Sequence, residues 1–150
     1  MSSELGKFVE DVQKEMWSGY TETVIAHATN PRNIGNVPNA DGFRSITGFC
    51  GDTMQIWLKV KEGTISDAKF WTDGCGTTIA AGSMVTELAK GRKIGEAHRL
   101  SQDDILKALG SLPEESLHCA ALAADALKVA IRDYLAYTKE PWKRAYQQRY

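Results

Sequence analysis

Cysteine is scarce in this 150-residue chain: there are three, an odd number, and none stands in a Cys-x-x-Cys pair. A sparse, odd set does not read as a disulfide framework and points to a reducing compartment. The missing Cys-x-x-Cys excludes a thioredoxin-like motif and a zinc-finger knuckle. No apolar run approaches the roughly 20 residues needed to cross a bilayer, so no membrane partner is expected. Charge of one sign is not in excess either, with 18 Lys and Arg against 19 Asp and Glu. That balance argues against a nucleic-acid binder. Glu4, Glu10, Asp11 and Glu15 do not suit a secretory or mitochondrial targeting peptide. Repeats and low-complexity runs are also lacking. What remains, 43% hydrophobic and 25% charged, is the balance of one soluble, cytoplasmic globular domain.

The apolar spacing orders the elements. Leu5, Phe8, Val12 and Met16 give residues 4–17 one face of an amphipathic helix. A second helix is predicted from about Tyr20 to His27, ended by Asn30-Pro31, because the residue before proline avoids helical dihedrals. Residues 33–41, rich in Gly, Pro and Asn, read as a loop. Thr53–Lys61 alternates with Met54, Ile56, Leu58 and Val60 on one face. Glu62-Gly63 supplies a tight turn, and Thr64–Thr72 alternates again, apart from an out-of-step Asp67-Ala68. Phe43–Phe49 is expected to pair with this hairpin as a third strand. Trp57 and Trp71 read as sheet-face packing or edge cover rather than recognition residues.

After Gly76 the period lengthens to that of a helix, through Ile79, Ala80, Met84, Val85 and Leu88, with Gly91 at its end. Ser101 to Asp104 resembles a capping box ahead of another helix that Gly110 ends. The longest helix is predicted from Leu117 to Tyr137, burying Leu122, Ala126, Val129, Ala130 and Tyr134. Pro141 then breaks the chain before a polar, aromatic tail. The order helix, three strands, helices predicts an α+β fold, helices packed on one face of a small three-stranded antiparallel sheet.

The chemistry gathers at the cysteines, 25 and 44 residues apart. Cys50 ends a predicted strand and precedes Gly51 and Asp52. Cys75 lies between Gly74 and Gly76 just before a helix, and Cys119 follows His118 in a first helical turn. Free N–H groups and the helix macrodipole at such ends favour a negative sulfur. The flanking glycines would leave room for an inorganic species. Three thiolates, one carboxylate and one imidazole form a set that selects zinc, copper(I) or iron–sulfur clusters. Each residue also has a plainer reading: Cys119 as a small buried hydrophobe, Asp52 as a turn residue, and His118, His27 and His98 as structural or surface histidines. A nucleophilic His118–Cys119 dyad is not expected, since adjacent helical residues diverge by roughly 100°. The metal reading predicts that the three sulfurs converge in the folded chain around a site able to seat an inorganic guest.

Taken together, Tyr20-Thr21-Glu22, Val24-Ile25, His27 and Asn30-Pro31-Arg32-Asn33-Ile34-Gly35 resemble the N-terminal signature of the IscU/NifU family of iron–sulfur cluster scaffolds. Cys50-Gly51-Asp52, Asp73-Gly74-Cys75-Gly76 and Leu117-His118-Cys119 resemble the family's three ligand motifs, in order and at nearly its spacing. The resemblance covers roughly residues 20–137, leaving 1–19 as a helical extension and 138–150 as a tail. It implies a scaffold rather than a turnover enzyme. Such a scaffold takes persulfide sulfur from a cysteine desulfurase, binds iron, assembles a 2Fe–2S cluster and passes it to recipient apoproteins. By position it implies Cys50, Cys75 and Cys119 as ligands, Asp52 or His118 as the fourth, and Cys119 as persulfide acceptor. Zinc can occupy the same ligands, and a bridging cluster could join two chains as a homodimer.

The sequence also departs from the family. The Pro-Pro-Val-Lys stretch read by a DnaK-type chaperone is here Leu112-Pro113-Glu114-Glu115-Ser116, which argues against chaperone-assisted transfer in the usual form. The family tyrosine after the histidine is Ala28. The extra cysteine-rich segments of full-length NifU do not occur. The alternative, a zinc-dependent sulfurtransferase of SufU type, is disfavoured by Ser116 and by the lack of that group's long insertion between Gly91 and Leu117. A structural zinc domain is the third possibility, and its fold would depend on the metal.

Overall fold

The two alternating segments form strands over the predicted residues. The computed structural model describes residues 2–16 and 18–139. In it β2 spans Thr53–Lys61 and β3 spans Thr64–Thr72. Met54, Ile56 and Leu58 are fully buried and Val60 is half-buried, because a period of two sends alternate side chains to one face. Glu62 and Gly63 both take positive φ, 54° and 77°, the handedness that tight hairpins favour. The out-of-step residues sit at a register shift opposite Lys59 and Val60. Ser66 is the extra residue, which lets Ile65, Ala68 and Phe70 all reach the core.

β1 (Gly42–Thr47) pairs antiparallel with β2 and completes the order β1-β2-β3. It stops two residues short of the predicted end because Gly48 turns the chain. The Gly51 N–H donates to the Gly48 carbonyl at 3.0 Å, and the Gly48 N–H to the Asp52 carbonyl at 2.8 Å. Cys50 therefore lies in a turn and not at a strand end.

The inner face of the sheet is covered by α3 (Gly76–Ala89) and α6 (Leu117–Lys139). Around them pack α2 (Glu22–Thr29), α4 (Ile94–His98) and α5 (Gln102–Leu109). The capping box of Ser101 and Asp104 forms as predicted. On the outer face Trp57 packs against Phe43 at 4.9 Å between ring centroids, and Trp71 is exposed. The fold is α+β, as the sequence predicts. α1 (Ser2–Met16) also forms, but Leu5 and Phe8 are 66% and 65% exposed, so its apolar face is not part of the core. Residue 17, the break at Pro141 and the tail from residue 140 lie outside the described residues.

Three features fix the helices that carry the cysteines. A Cβ on Gly82 would lie 2.4 Å from the Phe70 ring, so glycine there lets α3 approach the sheet closely. The buried Asp133 accepts the Phe43 N–H at 3.0 Å and pairs with Arg44 at 3.4 Å, tying α6 to β1. Asn30 to Asn33 clasp α3: Arg32 pairs with Glu87 at 2.9 Å, and the Asn33 amide donates to Thr86 and Glu87. His27 is buried with Nδ1 2.6 Å from the Ser83 hydroxyl, and burial lowers its pKa. It is a structural histidine. The buried face of α6 differs from the predicted stripe: Val129 and Tyr134 are only half-buried, while Ala123, Leu127, Ile131 and Asp133 are buried. Sheet and helices cover α6 from several sides, so its buried surface is wider than one stripe.

Candidate functional site

Cys75 is the N-cap of α3, at φ −80° and ψ −173°. Its sulfur lies 3.2 Å from the Thr77 hydroxyl, and that contact, opposed by partial burial, lowers the thiol's pKa. The thiol is exposed. Cys119, in the first turn of α6, is 2% exposed. Its sulfur is 3.4 Å from the Thr77 hydroxyl and 3.4 Å from that of Thr78. Burial pushes this thiol up. The expectation that a helix end favours thiolate at Cys119 therefore fails. A 3-10 turn over Glu114–Ser116 runs straight into α6, so the end is not free, and desolvation outweighs the rest.

Asp52 joins the same cluster: its Oδ2 accepts from the Thr78 hydroxyl at 2.9 Å. His118 Nε2 stands 3.7 Å from the Cys119 sulfur. The two side chains touch although their Cα positions diverge, because the imidazole is long enough to fold back, which corrects the expectation that they would not meet. The His118 ring also packs against Phe49, 5.3 Å between centroids, and Phe49 is 91% exposed. Cys50 shares a cavity of about 270 Å³ with Phe49, His118, Leu122 and Asp125.

Cys75, Cys119 and Asp52 thus meet on two threonine hydroxyls, His118 touches Cys119, and Cys50 lines the adjoining cavity. Among the described residues, no three His, Cys, Asp or Glu side chains form a group that could hold a metal ion as they stand. The room expected beside Gly74 is filled by the chain itself, since a Cβ there would lie 2.6 Å from the Thr78 Cβ. Beside Gly51, at φ 94°, the space is open. Thr77 and Thr78 are the site residues that sequence reasoning missed. The available signal was two consecutive hydroxyls directly after Cys75-Gly76 at a helix start.

The unequal environments predict unequal reactivity. Because the folded Cys75 thiol ionises below its ordinary pKa and the Cys119 thiol above it, iodoacetamide at neutral pH should label Cys75 at least about tenfold faster. Peptide mass mapping after timed quenching measures this, and equal rates would contradict the assigned geometry.

Residues 19–141 match the family model described as NifU-like N terminal domain. The chain belongs to the NifU-like N-terminal family. Within it, the chain is 48% identical over 116 residues to the iron-sulfur cluster assembly scaffold protein IscU 1 of Archaeoglobus fulgidus, covering 77% of this chain and 76% of that protein. It is 46% identical over 120 residues to the iron-sulfur cluster assembly scaffold protein IscU of Escherichia coli K12, covering 77% and 93%. The crystal structure of the N-terminal part of a nitrogen-fixing NifU-like protein from Brucella abortus has the same fold, with TM-score 0.61 at 21% identity over 77% of this chain and 94% of that one. No described helix of this NifU-like chain is long and apolar enough to cross a membrane.

Proposed function

We propose that this NifU-like chain is an iron–sulfur cluster assembly scaffold that takes sulfur from a cysteine desulfurase, binds iron, builds a 2Fe–2S cluster and delivers it to apoproteins. The observation that carries the reading is the meeting of Cys75, Cys119 and Asp52 on the Thr77 and Thr78 hydroxyls, with His118 against Cys119. Cys50, Cys75 and Cys119 are the thiolate ligands, and Asp52 or His118 is the fourth. Cys50 sits in a glycine-flanked turn and lines the cavity that His118 also lines. Zinc can take the same four-coordinate set.

Sulfur transfer follows from thiol chemistry. Cys119 is buried in the free chain, so the desulfurase must uncover it on docking. Its thiolate then attacks the outer sulfur of the desulfurase persulfide, a new S–S bond forms, and the desulfurase cysteine leaves as thiolate. His118, 3.7 Å away, is a base within reach of the Cys119 proton. Release of that sulfur as sulfide takes two electrons from a reductant outside this chain. A harder carboxylate among soft thiolates holds the product less firmly than four thiolates would, which suits a carrier that must let go.

Anaerobic reconstitution with iron, sulfide and a desulfurase tests the reading: a 2Fe–2S visible spectrum is expected, and its absence from the wild-type protein would overturn it. A structural zinc domain predicts unfolding on chelation. Here the core from Val24 to Ile131 closes without Cys50 and Cys75, and Cys119 packs in it as a buried side chain. Adding excess EDTA should therefore leave the far-ultraviolet circular dichroism unchanged and move the melting temperature by no more than about 5 °C. Loss of the helical signal on chelation would favour the structural-zinc alternative.

A further inference from the structure

Two threonines of α3 behave differently. Thr86 returns its hydroxyl to the preceding turn, donating to the Gly82 and Ser83 carbonyls at 2.8 and 3.0 Å, the ordinary habit of a helical threonine. Thr78, fully buried, sends its hydroxyl out of the helix to three side chains. It donates to Asp52 Oδ2 at 2.9 Å, and lies 3.4 Å from the Cys119 sulfur and 3.9 Å from that of Cys75. A threonine hydroxyl has one hydrogen and two lone pairs. An ionised carboxylate only accepts, so the hydrogen is committed to Asp52 and the sulfur contacts fall on the oxygen's lone pairs. Of the three contacts, the bond to Asp52 is the one in which Thr78 donates. That bond occupies Oδ2 and leaves Oδ1 for a guest. The Thr78 side chain is fully buried and occupies the space over Gly74.

We propose that Thr78 is a positioning residue of the site, its buried hydroxyl fixing the Asp52 carboxylate beside Cys75 and Cys119 so that Asp52 serves as the displaceable ligand. The proposal rests on the scaffold reading, and two sets of measurements keep the two apart. In the metal-free protein, the Asp52 side-chain carboxyl carbon resonance is expected to move in Thr78→Val and to stay in place in Thr78→Ser. In anaerobically reconstituted protein, Thr78→Val should slow cluster transfer to an apo-ferredoxin about tenfold, the effect of one hydrogen bond to a charged group. Its visible circular dichroism should shift towards that of Asp52→Ala, with Thr78→Ser like wild type. The Thr78→Val, Asp52→Ala double variant should match Asp52→Ala alone.

Thr78→Ala, which only removes atoms, gives the same comparison if valine disturbs packing. A Thr78→Val protein with wild-type resonance and transfer would overturn the proposal. So would a Thr78→Val effect that persists undiminished in the Asp52→Ala background, since Thr78 would then act by another route. Wild-type protein that binds no cluster while the Asp52 resonance still moves would sink the scaffold reading alone and leave Thr78 as the residue that places Asp52.

Discussion

Cys75→Ser protein, reconstituted anaerobically with iron, sulfide and a cysteine desulfurase, is expected to show less than about a tenth of the wild-type 2Fe–2S absorption. The size of the effect follows from the ligand chemistry. A seryl oxygen is hard and protonated at neutral pH, whereas iron–sulfur clusters select soft thiolate. Cys75 is also an exposed thiol whose ionisation the Thr77 hydroxyl favours, so it is readier to bind than the buried Cys119. Failure to fold is not the expected cause of the loss. Cys75 is the N-cap of α3 and makes no side-chain cap bond, while serine is among the better N-cap residues. The apo variant should melt at or slightly above the wild-type temperature. Retention of the full visible spectrum in Cys75→Ser would remove Cys75 from the ligand set.

Where local rules decide, the sequence was readable. The β2–β3 hairpin has its predicted bounds because the alternation of Met54, Ile56 and Leu58 and the Glu62-Gly63 turn are local signals that tertiary contacts did not oppose. The capping box at Ser101 is legible for the same reason. Where several elements converge, prediction was coarser. α6 is covered from several sides, so a single stripe mislabelled Val129 and Tyr134 and passed over Asp133, whose partners lie 90 residues away on β1. At the site, the cysteine motifs named residues but not their environments. Helix-end reasoning treated Cys75 and Cys119 alike, yet one is exposed and the other buried, and only the fold separates them. Thr77 and Thr78 escaped notice because hydroxyls near a helix start are common, and their meaning depends on α6 and the β1–β2 turn arriving beside them. The family relationship was legible in the motifs. The hydrogen bonds on the two threonines were not.

Asp52→Ala should assemble a cluster and hold it longer, slowing transfer to an apo-ferredoxin by tenfold or more. A cluster leaves as recipient thiolates replace its ligands one at a time, and the first position to exchange is the least covalent. A carboxylate is harder than thiolate or imidazole and is that position. With Asp52 removed, His118 is already beside the site, its Nε2 3.7 Å from the Cys119 sulfur, and an imidazole nitrogen is the softer replacement. The converse variant, His118→Ala, leaves the carboxylate in place and should transfer at or above the wild-type rate. Removing both takes away each candidate fourth ligand, so the double variant should lose the visible 2Fe–2S spectrum that each single variant keeps. Stopped-flow transfer kinetics and the visible spectrum of the three variants decide the matter. Unchanged or faster transfer in Asp52→Ala would show that Asp52 is not the exchanging ligand. A cluster that survives in the double variant would mean the fourth ligand comes from neither residue.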